Sequence, residues 1–266
     1  MSARKTPKKK EQKKLKVLGV IPTRLNSQRL PGKMLADVCG KPLIQRTYEQ
    51  VKKSKVLDAV VIATDSKEIA KVARSFGAPV IMSSSKHEVG TDRVAEAVKK
   101  FKDFKPDIVV NLWGDCPLIS MEEIKGVVDL LKKYPDIDAA GAASVITETR
   151  DIESPSVVKV TMNRDRDVLY FSRSVIPFVR RTDVPVTYYQ SRGIWALRPH
   201  ALFGYASLSR TSLELVEEVE QYRFIERGYK MKMICGEFPG VDVNVQEELD
   251  TVRRIVQKHI DLGKLN

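Results

Sequence analysis

The sequence predicts an α/β fold built on an open, mostly parallel twisted sheet with helices on both faces. Three short apolar runs lack polar alternation, which is typical of buried parallel strands, and they lie at residues 16–22, 59–64 and 107–112. Segments of helical periodicity separate these runs, and the connections are short. Such alternation of strand and helix indicates parallel βαβ units.

The first half of the chain carries most of this pattern. A fourth strand is predicted at 80–82, and helices are predicted at 42–53, 67–76, 90–101 and 121–134. Asp65 and Ser66 supply a cap for the second of these helices, and the triplet Gly77-Ala78-Pro79 ends it. The short connections favour packing of each helix on the sheet.

The second half of the chain has a different order of predicted strands and helices. Strands are predicted at 157–160, 168–171, 187–197 and 230–234, and helices at 212–227 and 245–259. Three successive strands with few helices between them indicate a β-rich insertion that returns to the main sheet. The chain is therefore expected to form a single domain over residues 16–266.

A basic segment precedes that domain. Residues 1–16 carry eight Lys or Arg residues and one Glu, which account for more than half of the formal net charge of +12. The segment has no aromatic residues on which bases could stack, so residues 1–15 are predicted to be a disordered tail and no nucleic-acid partner is expected. The remaining charge suits a domain that binds small anions.

Composition also bears on location. No apolar run approaches the ~20 residues of a membrane span, and no apolar segment follows the N-terminal charges as in a secretory signal. The three cysteines and three histidines are scattered without zinc spacing or a disulfide framework. A cytoplasmic protein without membrane insertion is the resulting expectation.

Three cations, Arg24, Arg29 and Lys33, lie on the loop after the first predicted strand. Ligands of open α/β sheets bind beyond the carboxyl ends of strands, so this loop could hold a triphosphate with its side chains and backbone N–H groups. It has no G-x-G-x-x-G motif, and Met34 after Gly32-Lys33 excludes a Walker loop. The residues alone leave an ordinary exposed basic loop as the alternative.

Two aspartates follow predicted strands. Asp115 comes after the apolar run at 107–112, and Asp242 lies between a strand and the last helix. Two carboxylates over one sheet edge could share Mg²⁺ with triphosphate oxygens. A turn residue and a helix-start residue remain the alternatives. Cys116 is interpreted as a small packing residue, and no catalytic base is identified, so direct attack by a substrate hydroxyl is expected.

These segments resemble a known family. The stretch at 21–33 (IPTRLNSQRLPGK), followed by GKPLI at 40–44, is similar to the CMP-sugar synthetases, and most strongly to the 3-deoxy-manno-octulosonate (KDO) cytidylyltransferases. The similarity extends over about residues 16–255, through the segments at 63–65, 90–96, 111–119, 158–160, 170–173 and 240–242. It implies a nucleotide-diphospho-sugar transferase-like fold, a homodimer, CTP and an acidic 2-keto-3-deoxy sugar as substrates, and Mg²⁺ as cofactor.

The resemblance also implies roles for individual residues. Catalytic roles would fall to Arg24, Lys33 and Asp115, and the metal would be held by Asp115 and Asp242. The nucleotide would be bound by Pro22, Thr23, Arg24, Ser27, Arg29, Lys33 and Arg93. The sugar hydroxyl would attack the α-phosphorus of CTP, pyrophosphate would leave, and the CMP-sugar would serve cell-surface glycan synthesis such as that of lipopolysaccharide.

The acceptor side departs from the family pattern. Trp113, Ser191 and Trp195 stand where the family has Gln, His and Tyr, whereas the sugar-pocket residues Glu220 and Gln221 are retained. An indole has one donor and no acceptor, so it cannot replace an amide toward sugar hydroxyls. A less polar, deoxygenated acidic sugar is therefore expected, with KDO a poor substrate. Alternatively, both tryptophans lie in the core and other residues recognise KDO.

Three alternative functions differ from this one in the residues that they would need. A nucleotidyltransferase could use a different nucleoside triphosphate or a phosphorylated sugar or alcohol. A non-catalytic sugar-nucleotide-binding protein would have lost phosphate or metal residues, but the cations and aspartates are all present. A glycosyltransferase would need an Asp-x-Asp motif after a strand, which the segment at 114–117 (GDCP) does not supply. A further cation, Arg192, lies where it could pair with a sugar carboxylate.

Overall fold

The structure is a computed structural model that describes residues 14–25, 27, 29–238 and 240–265. The basic tail predicted at 1–15 falls mainly on residues 1–13, which lie outside the described residues. The described chain starts at Lys14, whose ammonium lies 2.9 Å from the Asp58 carboxylate. No helix in the described part of the chain is long and apolar enough to cross a membrane.

Eleven strands are present in the described residues: β1 Val17–Thr23, β2 Asp37–Val38, β3 Lys41–Pro42, β4 Ala59–Thr64, β5 Val80–Met82, β6 Ile108–Leu112, β7 Ala139–Val145, β8 Lys159–Met162, β9 Val168–Ser172, β10 Tyr189–Leu197 and β11 Met231–Gly236. The α-helices described are α1 Leu43–Lys52, α2 Lys67–Ser75, α3 Gly90–Lys100, α4 Met121–Lys133, α5 Thr149–Glu153, α6 Pro199–Ala206, α7 Ser212–Glu217, α8 Tyr222–Ile225 and α9 Gln246–Asp261. One 3-10 turn, Lys33–Leu35, follows the basic loop.

The main sheet has the strand order β11-β7-β10-β6-β1-β4-β5. Only β10 runs against the other six strands of this path, because it pairs antiparallel with both β6 and β7 while the remaining pairs are parallel. The hairpin of β8 and β9 joins this sheet through the pairing of Gln190 with Lys159. The predicted mostly parallel sheet with a β-rich insertion is confirmed.

Helices cover both faces of the sheet. Along β1, Val17 and Ile21 point to one face and Leu18 and Val20 to the other, and all four are buried. The first face packs against α1, α2 and α4, and the second against α3, α6 and α8. This two-sided burial explains why the central strands are continuous apolar runs without polar alternation.

One central strand, β7, was not predicted. Its sequence AAGAASV is rich in Ala and Gly, residues of low strand propensity, yet it lies between β10 and β11 and is almost wholly buried. The small side chains are required by packing, because a Cβ on Gly141 would lie 2.6 Å from the Trp195 ring. The short helices α5 and α6 were also missed.

The single helix predicted at 212–227 is wrong. The structure has two helices there, α7 and α8, separated at Glu218, whose φ of 50° is left-handed and cannot continue a helix. The break lets Arg223 fold back onto Glu214, with guanidinium–carboxylate distances of 2.8 and 2.6 Å in a fully buried pair. As a result, the segment with Glu220 and Gln221 turns toward the sheet.

Candidate active site

The predicted phosphate loop and both aspartates meet at one edge of the sheet. Asp115 follows β6, Asp242 follows β11, and Lys33 follows the loop after β1, so all three lie beyond the carboxyl ends of parallel strands. The reversed strand β10 brings its first half, including Arg192, to this same edge. This arrangement matches the usual position of ligand sites in open α/β sheets.

Lys33 holds the centre of this site. Its side chain is 8% exposed, and its ammonium lies 2.6 Å from Asp115 Oδ2 and 2.6 Å from the Val243 carbonyl oxygen. Gly32 precedes it with a φ of 71°, a left-handed conformation that glycine adopts without strain. The turn thereby directs a cation from the basic loop onto the two aspartate loops.

The aspartate loops are also joined through the backbone, because the Val243 N–H donates to the Asp115 carbonyl at 2.9 Å. Burial raises the pKa of Asp242, and the nearby Asp115 charge adds to this rise while Arg192 opposes it. The Cys116 sulfur lies 2.7 Å from Asp242 Oδ1 and 3.9 Å from Asp115 Oδ1, so the two carboxylates lie beside one another. The predicted pairing of these aspartates at one edge is thus present in the structure.

Cys116 belongs to the same cluster. Its thiol donates to Asp242 Oδ1 with an S···O distance of 2.7 Å, and its Sγ also contacts Asp115. Burial raises the pKa of this thiol well above its ordinary value, and the charges of Asp242 and Asp115 raise it further. Cys116 is therefore held as a neutral thiol, which agrees with its interpretation as a packing residue rather than a nucleophile.

The donor set is compatible with a hard divalent cation. Asp115 and Asp242 offer carboxylate oxygens, the ligands that Mg²⁺ prefers, and Mg²⁺ commonly uses one or two carboxylates together with substrate phosphates and water. No cluster of three His, Cys, Asp or Glu residues suited to a metal occurs in the described residues. A metal at this edge would therefore depend on the substrate for its remaining ligands.

The other residues of the basic loop frame an open surface. Arg24 is exposed, and Arg29 is exposed with its guanidinium 2.9 Å from Asn244 Oδ1. Ser27 is half-buried. Pro22 and Thr23 end β1, and the Thr23 methyl leaves no room for a side chain at Gly114, where a Cβ would lie 2.7 Å away.

Arg93 lies inside the protein rather than on the open surface. It is 3% exposed, its guanidinium lies 2.9 Å from Asp65 Oδ2, and it also donates to the Ser83 hydroxyl. These contacts tie α3 to the end of β4. The direct nucleotide contact implied for Arg93 stays a prediction, and in this structure its donors are directed at protein atoms.

The predicted acceptor residue Glu220 faces α3, and Gln221 is buried next to it in the chain. Glu220 Oε2 accepts a hydrogen bond from the Thr91 N–H at 3.1 Å, and Asn111 Nδ2 donates to the Thr91 hydroxyl at 3.2 Å. Burial raises the pKa of Glu220, although the bond from Thr91 opposes this rise. Glu220 Oε1 and Asn111 Oδ1 are buried without a hydrogen-bond partner among the described residues. Both atoms are acceptors.

Trp195 requires a correction. It was assigned to the sugar site, but it is 3% exposed, packs edge-to-face on Phe171 and lies over Gly141 in the core. Trp113 differs, since it is half-buried at the end of β6 with its ring over Gly193. Ser191 is also half-buried, at the reversed strand's entry to the site. The core alternative therefore holds for one of the two tryptophans.

Sequence reasoning missed two partners of the site, Glu123 and Asn111. Arg192 was considered for a sugar carboxylate, but the structure buries it against Glu123 and Asp242. Glu123 had a visible role as the third residue of the capping box with Ser120, and its second oxygen contacts Arg192. A charged residue directly before the apolar run GIWAL at 193–197 was the one signal that could have pointed to this buried pair.

We predict that Arg93 and Arg24 differ sharply in their effect on stability. Arg93→Met should lower the free energy of unfolding by about 2 kcal/mol, since it leaves Asp65 in a largely buried place without its cation. Arg24→Ala, at an exposed position, should change it by less than about 0.5 kcal/mol. Urea unfolding followed by circular dichroism provides the measurement, and equal stabilities would contradict the structural role of Arg93.

Comparisons with known proteins agree with this architecture. A family model described as Cytidylyltransferase matches residues 18–233. The 3-deoxy-manno-octulosonate cytidylyltransferase of Syntrophus aciditrophicus (strain SB) is 39% identical over 241 residues, which cover 91% of this chain and 97% of that protein. The enzyme of the same name from Francisella philomiragia subsp. philomiragia is 44% identical over 242 residues, covering 89% and 96%.

The fold comparison gives the same family. The solved structure of a CMP:2-keto-3-deoxy-manno-octonic acid synthetase complexed with CTP superposes with a TM-score of 0.85 at 33% sequence identity, and the match covers 92% of this chain and 99% of that chain. The family-model match includes the basic loop and the strand that precedes Asp115. The chain belongs to the cytidylyltransferase family and is a nucleotidyltransferase.

Proposed function

We propose that this protein transfers CMP from CTP to 3-deoxy-manno-octulosonate and releases pyrophosphate. The observation that carries the proposal is the convergence of Lys33, Asp115 and Asp242 at the carboxyl edge of the sheet. This cluster offers a cation for phosphate and two hard oxygen ligands in one place. The relatives named for this reaction, which match nearly the whole chain, support the choice of both substrates.

The phosphate half of the reaction follows from the basic loop. Arg24 and Arg29 are exposed beside the cluster and can bind the β- and γ-phosphates, while Lys33 can neutralise charge on the α-phosphate. The acceptor hydroxyl forms a bond to the α-phosphorus as the bond between the α-phosphorus and the bridging oxygen breaks, and the hydroxyl proton is released to solvent. The leaving pyrophosphate departs toward the arginines, which stabilise its negative charge.

Asp115 and Asp242 would hold Mg²⁺ in this proposal. When bound, the ion supplies charge neutralisation at the triphosphate and lowers the pKa of the attacking hydroxyl. The chain's own contribution is to fix the two carboxylates, through the Lys33 bridge and through the backbone bond from Val243 to Asp115. Preformed carboxylates lower the cost of organising the site during the reaction.

The acceptor half is less closely matched to the family pattern. Glu220 Oε1 and Asn111 Oδ1 are hydrogen-bond acceptors without a partner beside Thr91, so each can accept a hydrogen bond from a sugar hydroxyl. The expectation of a deoxygenated sugar rested on Trp113 and Trp195, and the burial of Trp195 in the core removes the second of these reasons. Trp113, partly exposed at the site edge, keeps a modified acidic sugar as the second candidate acceptor.

The test is a pyrophosphate-release assay with purified enzyme, Mg²⁺ and a panel of substrates. CTP with 3-deoxy-manno-octulosonate should give turnover, whereas ATP, GTP and UTP should give little, and a mass spectrum should show the CMP-sugar. Turnover with a modified ulosonate but not with 3-deoxy-manno-octulosonate would favour the second candidate. Absence of pyrophosphate with every acceptor would contradict the proposal.

The metal role is tested at the aspartates. Asp242→Asn and Asp115→Asn should each lower turnover by about a hundredfold or more, because each removes a charged ligand and a partner of a fixed cation. The matched control is Asp250→Asn, an exposed carboxylate on α9, which should leave turnover within about twofold. Near-normal turnover of Asp242→Asn at saturating Mg²⁺ would rule out the two-aspartate site.

A homodimer is part of this proposal. The insertion exposes large apolar side chains, with Leu169 57%, Phe178 86% and Val184 51% exposed. An apolar surface of this kind on one region is typical of a protein interface, and self-association through a two-fold axis would cover it. Phe178→Glu should shift the mass measured by light scattering from dimer to monomer, while Val216→Glu, also exposed, should not.

The setting of the reaction is also proposed rather than observed. All three cysteines, Cys39, Cys116 and Cys235, are free thiols, as expected of a protein in the reducing cytoplasm. The CMP-activated acidic sugar would then serve as the donor for a glycosyl transfer to a cell-surface glycan such as lipopolysaccharide.

A further inference from the structure

Each aspartate of the site has a cation of its own. Lys33 contacts Asp115 at 2.6 Å, and the guanidinium of Arg192 lies 4.0 Å from Asp242 Oδ1. Arg192 is only 6% exposed, and its Nε lies 3.2 Å from Glu123 Oε1. Arg192 Nη2, the nitrogen nearest Asp242, also lies so close to Gly240 that the Cβ of any other residue there would clash with it. Arg192 is therefore packed against the loop that carries Gly240 and Asp242.

The charges of the five buried or half-buried side chains at this edge nearly balance without any ligand, and the exposed Arg24 and Arg29 add positive charge beside them. Asp115, Asp242 and Glu123 contribute three negative charges, and Lys33 and Arg192 contribute two positive ones. Affinity for a divalent cation rises with the negative charge of its ligands. A site with one net negative charge should bind a free divalent cation weakly, and a triphosphate would add the charge that it lacks.

We propose that Arg192 is a positioning residue that orients Asp242 and competes with a free divalent cation for this carboxylate. The cation is then acquired mainly together with the triphosphate. This inference rests on the proposed function, because it assumes that Asp115 and Asp242 hold a metal. It assigns Arg192 a role at the metal end of the site, away from any sugar carboxylate.

The geometry suits an arginine in particular. A guanidinium can direct Nε to one carboxylate and Nη2 to another, whereas an ammonium is a single point of charge. Glu123 anchors the first of these nitrogens, and the capping box with Ser120 fixes Glu123 at the start of α4. Arg192 is thus held in a place where its charge acts on Asp242 without a close, bidentate ion pair.

An ordinary structural ion pair is the rival interpretation, and the sign of the effects separates the two. If the Arg192–Glu123 pair only supported the fold, removing either partner would loosen the site and weaken metal binding. If Arg192 competes with the metal, the two removals act in opposite directions. Loss of Arg192 makes the site more negative, and loss of Glu123 makes it less negative and releases Arg192 toward Asp242.

The experiment is a titration of the full-length protein with Mn²⁺, followed by electron paramagnetic resonance of the free ion, with and without CTP. Arg192→Gln should lower the Mn²⁺ Kd without nucleotide by about fivefold, since the Gln amide still donates to Glu123 but carries no charge. Glu123→Gln should raise this Kd by about threefold. Arg192→Gln should also lower kcat by about tenfold with the KM for CTP within about twofold, because Asp242 loses its fixed orientation.

Arg192→Lys is the matched control, because it keeps the charge. It should retain the wild-type Mn²⁺ Kd within about twofold but recover only part of the lost kcat, because one ammonium cannot be directed at Glu123 and Asp242 together. Melting temperatures report whether each variant folds. If Arg192→Gln does not fold, the double variant Arg192→Leu with Glu123→Gln takes its place. It removes one positive and one negative charge, so its Mn²⁺ Kd should equal that of the wild type. Weaker Mn²⁺ binding in both single variants overturns the inference.

The same titration keeps this inference separate from the proposed function. Wild-type protein that binds no Mn²⁺ even with CTP would contradict the two-aspartate metal site itself. Wild-type protein that binds Mn²⁺ more tightly with CTP, together with an unchanged Kd in Arg192→Gln, would overturn only the role of Arg192.

Discussion

The ammonium of Lys33 connects the three loops on which the site depends. It bridges the Asp115 carboxylate after β6 and the Val243 carbonyl after β11, while its own backbone follows the loop after β1. These strands are far apart in the chain. The single buried ammonium nevertheless satisfies both oxygen acceptors, Asp115 Oδ2 and the Val243 carbonyl, which would otherwise repel one another. The cost of burying this cation is offset because both contacts are short and at least one is to a charged group.

The region around Glu220 depends on a different interaction, the buried ion pair of Arg223 with Glu214. Glu218 interrupts a helical segment with a left-handed backbone conformation, and the buried pair of Arg223 and Glu214 stabilises the resulting turn. Arg223 also contacts Asp92 on α3 and stacks on Tyr205, with 4.0 Å between the guanidinium carbon and the ring centre. The turn places Glu220 against the N-terminal end of α3, so the proposed acceptor region is built from a network separate from the basic loop.

Separate construction of the two halves has a consequence for specificity. The phosphate side is fixed by contacts among Lys33, Asp115 and the strand ends, which leave little freedom for substitution. The acceptor side combines retained residues such as Glu220 with altered ones such as Trp113 and Ser191. Under the proposed function, substitutions such as those at Trp113 and Ser191 would change the acceptor without disturbing the contacts of Lys33 with Asp115 and Val243.

Sequence by itself determined the fold class, the order of most strands and helices, and the convergence of Lys33, Asp115 and Asp242 at one edge of the sheet. It could do so because continuous apolar runs identify buried parallel strands, and because strand ends bring loop residues to one edge whatever the details of packing. The tertiary structure alone decided the Ala- and Gly-rich strand β7, the break at Glu218, and the burial of Trp195 and Arg192. Each of these features depends on a partner elsewhere in the chain. The Trp195 ring packs over Gly141 of β7, Glu214 pairs with Arg223 across the break at Glu218, and Glu123 pairs with Arg192. Local propensity carries no information about such partners, because their contacts exist only once the sheet has assembled.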